Sequence, residues 1–404
     1  MIRLKFLLLC FVLISSPAFA KEADQSTVVS ASLYKKLSRV EKLIDKKSYS
    51  KARQILINAL GKVKKGTYEE AVVLRTLASI YAMQEQYSKA AEYLSKALGL
   101  DVLPAKQQQQ VLLNLGQIYM ALGKYAKAVN ILQPWLKAKP KLDAQIAILL
   151  ANAYTQLKQY HKALPYVEQA IRMSKKPPES WYQLNLALLY ELGRYSAAAN
   201  ILEQLITRFP EKKQYWTQLS SVYQQLKQYK KALAIRDLAY KKGLINTEKE
   251  ILELVNLYLY VDLPYKAAQL LQSEINSKRV KGNSKNWELL ANAWTQAKEF
   301  KKATLALEKA SHLNPKGALY QQLGRIYVEQ ENWSAAVNAL TRALQKGGLK
   351  NPGNAYLLLG MSYYELKKIN KAKHAFIQAK KYKKTRRSAQ QWLDYISSEK
   401  QLKI

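Results

Sequence analysis

The chain has 404 residues and carries 65 lysines and arginines against 29 aspartates and glutamates, for a formal net charge of +36 at pH 7. Its one cysteine, Cys10, excludes a disulfide framework and a cysteine-rich metal site within the chain. A chain of this length can instead be stabilised by a large apolar core.

Residues 1–20 have the pattern of a cleavable secretory signal peptide. A positively charged start precedes an apolar run from Phe6 to Ile14, and Ala18 to Ala20 supply a small-x-small cleavage site. The apolar run is much shorter than the ~20 residues that cross a bilayer. We therefore expect export, with Cys10 removed alongside the leader and no cysteine left for thiol chemistry.

One pattern recurs along the rest of the chain and is clearest from Asn286 to Leu344. A small residue is followed by an aromatic after three positions, a second aromatic after six, alanine after three, leucine after four and alanine after three. Ala291 and Gly324 start two successive copies, 33 residues apart. Spacings of three and four predict amphipathic helices, two in each unit, and no stretch shows the period of two that would predict a strand.

The small residue counts the units and sets the predicted architecture. It recurs at intervals of 33 to 38 residues, at Val40, Ala78, Gly116, Ala151, Ala187, Ser220, Val255, Ala291, Gly324 and Gly360. The pattern predicts an all-α solenoid of about ten helix-turn-helix repeats over residues 21–384. Residues 385–404 are predicted to form a capping helix, with Trp392 on its inner face, and a tail.

The order of small, aromatic, aromatic, alanine, leucine and alanine, closed by a proline such as Pro315, resembles the tetratricopeptide repeat. The resemblance implies a right-handed superhelix whose first helices line a concave face. It also implies a scaffold that binds a protein or an extended peptide segment.

The sequence offers no catalytic arrangement. His161, His312 and His374 lie in different repeats, no carboxylate recurs beside them, and no metal-ligand spacing is present. We therefore predict that the protein is not an enzyme and needs no cofactor or metal.

The resemblance places a largely uncharged amide and hydroxyl surface on the concave face. Its predicted members are Asn152, Thr155, Gln156, Trp181, Leu184, Leu188, Thr217, Ser221, Gln224, Gln225, Asn256, Tyr260, Asn292, Thr295, Gln296, Gln321 and Arg325. In this family an asparagine one residue after the small position often binds a ligand's backbone, and Asn152, Asn256 and Asn292 match that position. The alternative is that these asparagines are ordinary helix surface.

Lysines recur in the turns and at the start of each second helix. Examples are Lys124, Lys127, Lys158, Lys162, Lys230, Lys231, Lys301, Lys302, Lys371 and Lys373. Lysine-rich charge on an exported chain argues against nucleic acid, where base recognition relies on arginine. Two interpretations stay open: a solvated outer rim, or attraction to an anionic envelope surface of lipid, lipopolysaccharide or glycan. The run from Lys380 to Arg387 is the densest.

A narrower resemblance rests on NWELLANAW, YLYVDLPYKAAQLL and KGGLKNPGNAYLLLGMSYYELKKINKAK. These stretches are similar to periplasmic repeat proteins associated with TonB–ExbB–ExbD energy-transduction systems. The resemblance implies the periplasm of a Gram-negative bacterium and a role as an accessory of TonB-dependent outer-membrane transport, with components of that system as partners.

Overall fold

A computed structural model describes residues 27–138 and 143–401, and these residues form 21 α-helices and no strand. The all-α prediction is therefore confirmed. The predicted signal peptide lies outside the described residues. The helices are α1 Ala31–Asp45, α2 Tyr49–Leu60, α3 Tyr68–Met83, α4 Tyr87–Gly99, α5 Ala105–Ala121, α6 Tyr125–Ala138, α7 Ala144–Gln156, α8 Tyr160–Met173, α9 Glu179–Glu191, α10 Tyr195–Arg208, α11 Lys213–Gln225, α12 Tyr229–Lys241, α13 Glu248–Tyr260, α14 Pro264–Asn276, α15 Ser284–Gln296, α16 Phe300–Leu313, α17 Gly317–Glu329, α18 Trp333–Lys346, α19 Pro352–Glu365, α20 Ile369–Lys380 and α21 Arg386–Gln401.

The first twenty helices form ten pairs, which we number repeats one to ten in chain order. In every pair the two helices are separated by three residues. The middle residue of this turn always has a left-handed backbone, from Lys47 at φ +52° to Gly123 at φ +67°. A left-handed residue ends an α-helix and reverses the chain, so the same type of turn joins the two helices of every repeat. The predicted number of repeats is confirmed.

The first and second helices of a repeat cross where the sequence places its small residue. A Cβ added to Gly324 would lie 2.5 Å from Cγ of Leu340 on the second helix. A Cβ added to Gly360 would lie 2.6 Å from two ring atoms of Phe376. The absence of a side chain therefore lets the two helix axes approach closely, and the large residue opposite fills the crossing.

Repeat five departs from the predicted register by one residue. Ala187, which the sequence analysis placed at the crossing, is exposed, and Leu186 is buried there instead. Leu186 lies nine residues before Tyr195, the start of α10, and the crossing residue precedes the second helix by nine residues in the other repeats as well. The prediction was wrong because alanine was taken as the small residue, whereas this repeat buries a leucine at that position.

The chain divides into two compact units, Met1–Ile201 and Leu202–Ile404. The second unit ends in α21, which packs on α20. Trp392 of α21 stacks on Phe376 with ring centroids 5.4 Å apart and an angle of 7° between the rings. The predicted capping helix and the inward position of Trp392 are therefore both present. Within the described ranges, no helix combines the length and the apolar character needed to cross a bilayer.

Candidate functional site

In the second unit, the predicted binding residues lie on the outward surface of the first helices of repeats six to nine. We call it the first-helix face. Its predicted residues are exposed or half-buried: Thr217, Ser221, Gln224, Gln225, Asn256, Tyr260, Asn292, Thr295, Gln296, Gln321 and Arg325. The structure therefore places these residues at the protein surface, on α11, α13, α15 and α17.

Asn256 and Asn292 occupy the same position in consecutive repeats, one residue after the crossing. Both side chains are exposed, and no hydrogen bond of either amide is found among the described residues. A primary amide has two N–H donors and a carbonyl acceptor, so it can pair with both the C=O and the N–H of a peptide backbone. These two amides are therefore free to bind a chain lying across α13 and α15.

Hydroxyl groups of the same face are partly occupied. Thr217 donates to the carbonyl of Lys213 at 3.1 Å, and Thr295 donates to the carbonyl of Ala291 at 2.8 Å. Such bonds to the carbonyl four residues earlier use the hydroxyl hydrogen. The hydroxyl oxygens remain able to accept, so a ligand N–H is the group that these threonines can bind.

Tyr260 gives the first-helix face an aromatic end. Its side chain is 64% exposed, and its ring lies against that of Tyr229 with centroids 4.3 Å apart at 53°. The equivalent positions of repeats six and eight carry Gln225 and Gln296. The exposed ring of Tyr260, supported by the half-buried ring of Tyr229, is therefore particular to this part of the face and offers a flat apolar contact to a ligand side chain.

In the first unit, the predicted surface is less available. Asn152 is half-buried, and its Nδ2 donates to the carbonyl of Ile148 at 2.9 Å. Thr155 donates to the carbonyl of Ala151 at 2.6 Å, and Gln156 is exposed. The amide of Asn152 is thus held by its own helix, unlike the amides of Asn256 and Asn292.

On α9, the shifted register moves the predicted residues away from the surface. Leu188 is only 1% exposed and lies in the core, so its assignment to the binding surface was wrong. Trp181 and Leu184 are half-buried. Shifting by one residue places Gln183 and Ala187 on the outward side of this helix, and both are exposed.

Tyrosine hydroxyls link successive repeats, a feature that helical periodicity within one repeat did not predict. The tyrosine three positions after the crossing bonds to a polar residue on the second helix of the preceding repeat. The pairs are Gln133 donating to Tyr154 at 2.5 Å, Tyr223 donating to Glu203, Tyr258 donating to Asp237 at 2.5 Å and Tyr327 donating to Glu308 at 2.9 Å. Burial and the neighbouring carboxylate raise the pKa of Tyr223 and of Tyr327 to about 12. The signal in the sequence is a polar residue 19 to 21 positions before the tyrosine.

The recurrent lysines at the start of the second helices have a structural partner. In five repeats the ammonium group lies over the aromatic ring of the first helix. The distances from Nζ to the ring centroid are 5.4 Å for Lys89 and Tyr81, 5.9 Å for Lys162 and Tyr154, 5.4 Å for Lys231 and Tyr223, 4.6 Å for Lys302 and Trp294, and 5.9 Å for Lys371 and Tyr363. Exposed contacts of this kind contribute about 0.5–1 kcal/mol each. These lysines therefore stabilise the repeat besides forming an exposed rim.

The three histidines lie where the sequence analysis placed them. His161, His312 and His374 are all exposed, and each belongs to a different repeat. Across the described ranges, no group of three or more His, Cys, Asp or Glu side chains is arranged to hold a metal ion.

Three sequence families match this chain. The family described as the SusR N-terminal TPR domain matches residues 24–134. Two families described as tetratricopeptide repeat match residues 142–211 in one case and residues 187–243 and 322–380 in the other. No curated protein matches the chain.

The solved structures that resemble this chain include two described as tetratricopeptide repeat proteins. A tetratricopeptide repeat protein from Parabacteroides merdae is 16% identical, with 74% of this chain and 100% of that chain aligned and a TM-score of 0.40. YrrB, described as a TPR protein with an unusual peptide-binding site, is 18% identical over 46% of this chain and 91% of its own, with a TM-score of 0.38. MamA from Desulfovibrio magneticus is 17% identical over 41% of this chain and 93% of its own, with a TM-score of 0.32.

The family matches agree with the observed helix pairs. The matched segments lie between residues 24 and 380, with residues 135–141 and 244–321 outside them, and the ten helix pairs share one type of turn and one type of crossing. A scaffold for protein–protein interaction is the role that this fold indicates. The chain is a tetratricopeptide-repeat protein.

Proposed function

We propose that this protein is a binding scaffold that holds an extended peptide segment of a partner protein on its first-helix face. The observation that carries the proposal is the pair Asn256 and Asn292, two exposed and unbonded amides at equivalent positions of consecutive repeats. An extended peptide presents backbone donors and acceptors at regular intervals, which is what a repeated amide can match.

The surroundings of the two amides favour a peptide over a small molecule. Exposed and half-buried residues such as Ser221, Gln225, Thr295 and Gln296 continue the polar lining along neighbouring repeats. Backbone pairing of this kind is tolerant of sequence, so selectivity must come from the partner's side chains. Tyr260 provides an apolar contact for one of them.

The proposed setting is the periplasm of a Gram-negative bacterium, and the proposed partners are components of a TonB system. The support is the leader-like pattern of residues 1–20 and the likeness of segments such as NWELLANAW to repeat proteins of such systems. In this setting the scaffold is an accessory of TonB-dependent outer-membrane transport.

The test is crosslinking in cells that express the chain, followed by mass spectrometry of the recovered proteins. The decisive variant is Asn256→Ala combined with Asn292→Ala. Its matched control is Asn200→Ala combined with Asn338→Ala, because these two asparagines are also exposed but lie on second helices. Loss of several amide hydrogen bonds should weaken binding of the partner at least about tenfold in the first variant. The control variant should bind the partner as the parent chain does.

The result tests the scaffold function and the TonB assignment separately. Recovery of TonB-system proteins, lost only in the Asn256 and Asn292 variant, supports both. Recovery of a different protein with the same dependence keeps the scaffold and overturns the TonB assignment. Partner recovery that is unchanged in this variant, or that falls equally in the control, overturns the binding surface.

A further inference from the structure

The turn between α20 and α21 concentrates positive charge. Six of the eight residues from 380 to 387 are lysine or arginine, and every one of the six is exposed: Lys380, Lys381, Lys383, Lys384, Arg386 and Arg387. We call this segment the cationic turn. The two remaining residues, Tyr382 and Thr385, point inward.

Those two residues anchor the cationic turn to the core of repeat ten. Thr385 is 3% exposed, and its Oγ1 donates to the carbonyl of Ala379 at 2.7 Å. The ring of Tyr382 stacks on that of Tyr356, with centroids 6.3 Å apart. A Cβ added to Gly353 would lie 2.3 Å from Thr385 Oγ1 and 2.7 Å from Cβ of Tyr382. The backbone of the turn is therefore pressed onto α19, and the cationic side chains project from a fixed support.

The cationic turn also lacks neutralising partners. No ion pair involving its six cations is found among the described residues. Elsewhere, exposed lysines do have a carboxylate one turn away, as in Lys241 with Asp237 at 2.7 Å and Lys302 with Glu299 at 3.1 Å. The next acidic residue along the chain, Asp394, accepts a hydrogen bond from Gln390 at 2.7 Å.

We propose that the cationic turn is a contact site for an anionic phospholipid surface. Like charges held close together without counter-charges repel one another, and a dense array of phosphates relieves that repulsion. Four of the six cations are lysines, which act as point charges and suit a diffuse array of headgroups better than base recognition, for which arginine forks are typical. This surface is distinct from the first-helix face and can be occupied at the same time as a bound peptide.

The experiment measures binding of the chain to vesicles of phosphatidylcholine mixed with phosphatidylglycerol, and to vesicles of phosphatidylcholine alone, at about 0.1 M salt. The decisive variant carries Lys381→Gln, Lys383→Gln, Lys384→Gln and Arg387→Gln. A matched control neutralises four exposed lysines of other repeats, Lys124, Lys127, Lys230 and Lys301. The two variants have equal net charge and differ chiefly in where the four charges are removed.

Each cation near an anionic membrane strengthens binding about fivefold, so the turn variant should bind the mixed vesicles several hundredfold more weakly than the parent chain. The control should lose less than about tenfold, because its lysines belong to repeats three, six and eight and not to the cationic turn. A variant with only Lys383→Gln and Lys384→Gln should show an intermediate loss of about 25-fold.

Three results would overturn the proposal. One is an equal loss in the turn variant and the control, which would make the attraction a property of net charge. Another is unchanged vesicle binding in the turn variant, provided that its hydrogen exchange in α19 to α21 matches the parent. The last is a turn-dependent binding of duplex DNA without binding of mixed vesicles, which would assign the turn to nucleic acid.

Discussion

Replacing Gly360 by alanine tests whether the helix crossing of repeat ten depends on the residue opposite. An added Cβ would lie 2.6 Å from Cδ1 and Cε1 of Phe376, whereas ordinary contacts are 3.4–4 Å. The ring must therefore move by about 1 Å. It is fully buried and stacked on Trp392, so this movement disturbs the capping helix. Overpacking of this kind costs about 1–3 kcal/mol, against a gain of about 1 kcal/mol from the higher helix propensity of alanine.

The same substitution should behave differently when Phe376 is replaced by alanine. The three atoms nearest to the added Cβ are Cδ1, Cε1 and Cζ of Phe376, and all three are then absent. In the Phe376→Ala background, Gly360→Ala should therefore keep only the propensity gain and stabilise the protein by about 1 kcal/mol. The expected coupling energy between the two sites is about 1–3 kcal/mol.

Hydrogen exchange measured by mass spectrometry gives the local free energy of opening for both backgrounds. Gly360→Ala in the parent chain should speed exchange in peptides from α19 to α21. In the Phe376→Ala background, the same substitution should slow exchange in these peptides. Peptides from α3 and α4 belong to the other compact unit and should be unaffected. An equal effect of Gly360→Ala in the parent chain and in the Phe376→Ala background would refute the idea that steric contact with the ring decides the cost.

Three further predictions address the turns, the links between repeats and acid stability. Lys298 has φ +59°, so Lys298→Gly should raise the free energy of unfolding by about 1 kcal/mol, and a higher melting temperature would show it. Tyr258→Phe removes the bond to Asp237 and should lower that free energy by about 1 kcal/mol in urea unfolding. For Glu250, burial acts to raise the pKa, but bonds from Lys213 and from its helix cap outweigh it and hold the pKa at about 2. The resulting stabilisation is present above the usual carboxyl pKa of about 4.5 and lost as the pH falls toward 2, so the free-energy difference between the parent and Glu250→Gln should shrink over that window.

The fold was predictable from the sequence because the same buried positions recur in every repeat. Spacings of three and four mark a helix face regardless of which apolar residue occupies it, and ten copies average out local exceptions. Repeat five shows the limit of this reasoning. Leu186 and Ala187 are adjacent and both apolar, so composition alone favoured the smaller residue, and only packing against the second helix identifies the leucine as buried.

The positions of the candidate site residues were predictable, but whether each side chain is free to bind a ligand was not. The repeat register places Asn152, Asn256 and Asn292 equivalently, and all three lie on first helices. Whether an amide is free depends on its rotamer, and that of Asn152 folds back to the carbonyl of Ile148. The links between tyrosines and carboxylates, such as Tyr258 with Asp237, were missed for a related reason. They join two repeats, and helical periodicity within a repeat carries no information about which side chains meet across the boundary.

Among the described residues, the two buried charged side chains, Arg236 and Glu274, lie in repeats six and seven, the stretch that also carries Asn256 and Tyr260. Arg236 is 5% exposed where other repeats bury an apolar residue, and it pairs with Glu253 of α13. Glu274 is fully buried at a position where most repeats have alanine, and one of its oxygens has no hydrogen-bond partner among the described residues.

Buried charges of this kind rarely stabilise a fold better than apolar residues of similar volume would. Stability alone therefore gives no reason for Arg236 and Glu274 to replace the usual residues. Natural sequences depart from their local rules chiefly at functional sites. Arg236 and Glu253 join α12 to α13, and α13 presents Asn256 and Tyr260 on its outward surface. The polar substitutions in the core and the aromatic substitution at the surface thus fall within the same two repeats, which favours repeats six and seven as the part of the scaffold shaped by its partner.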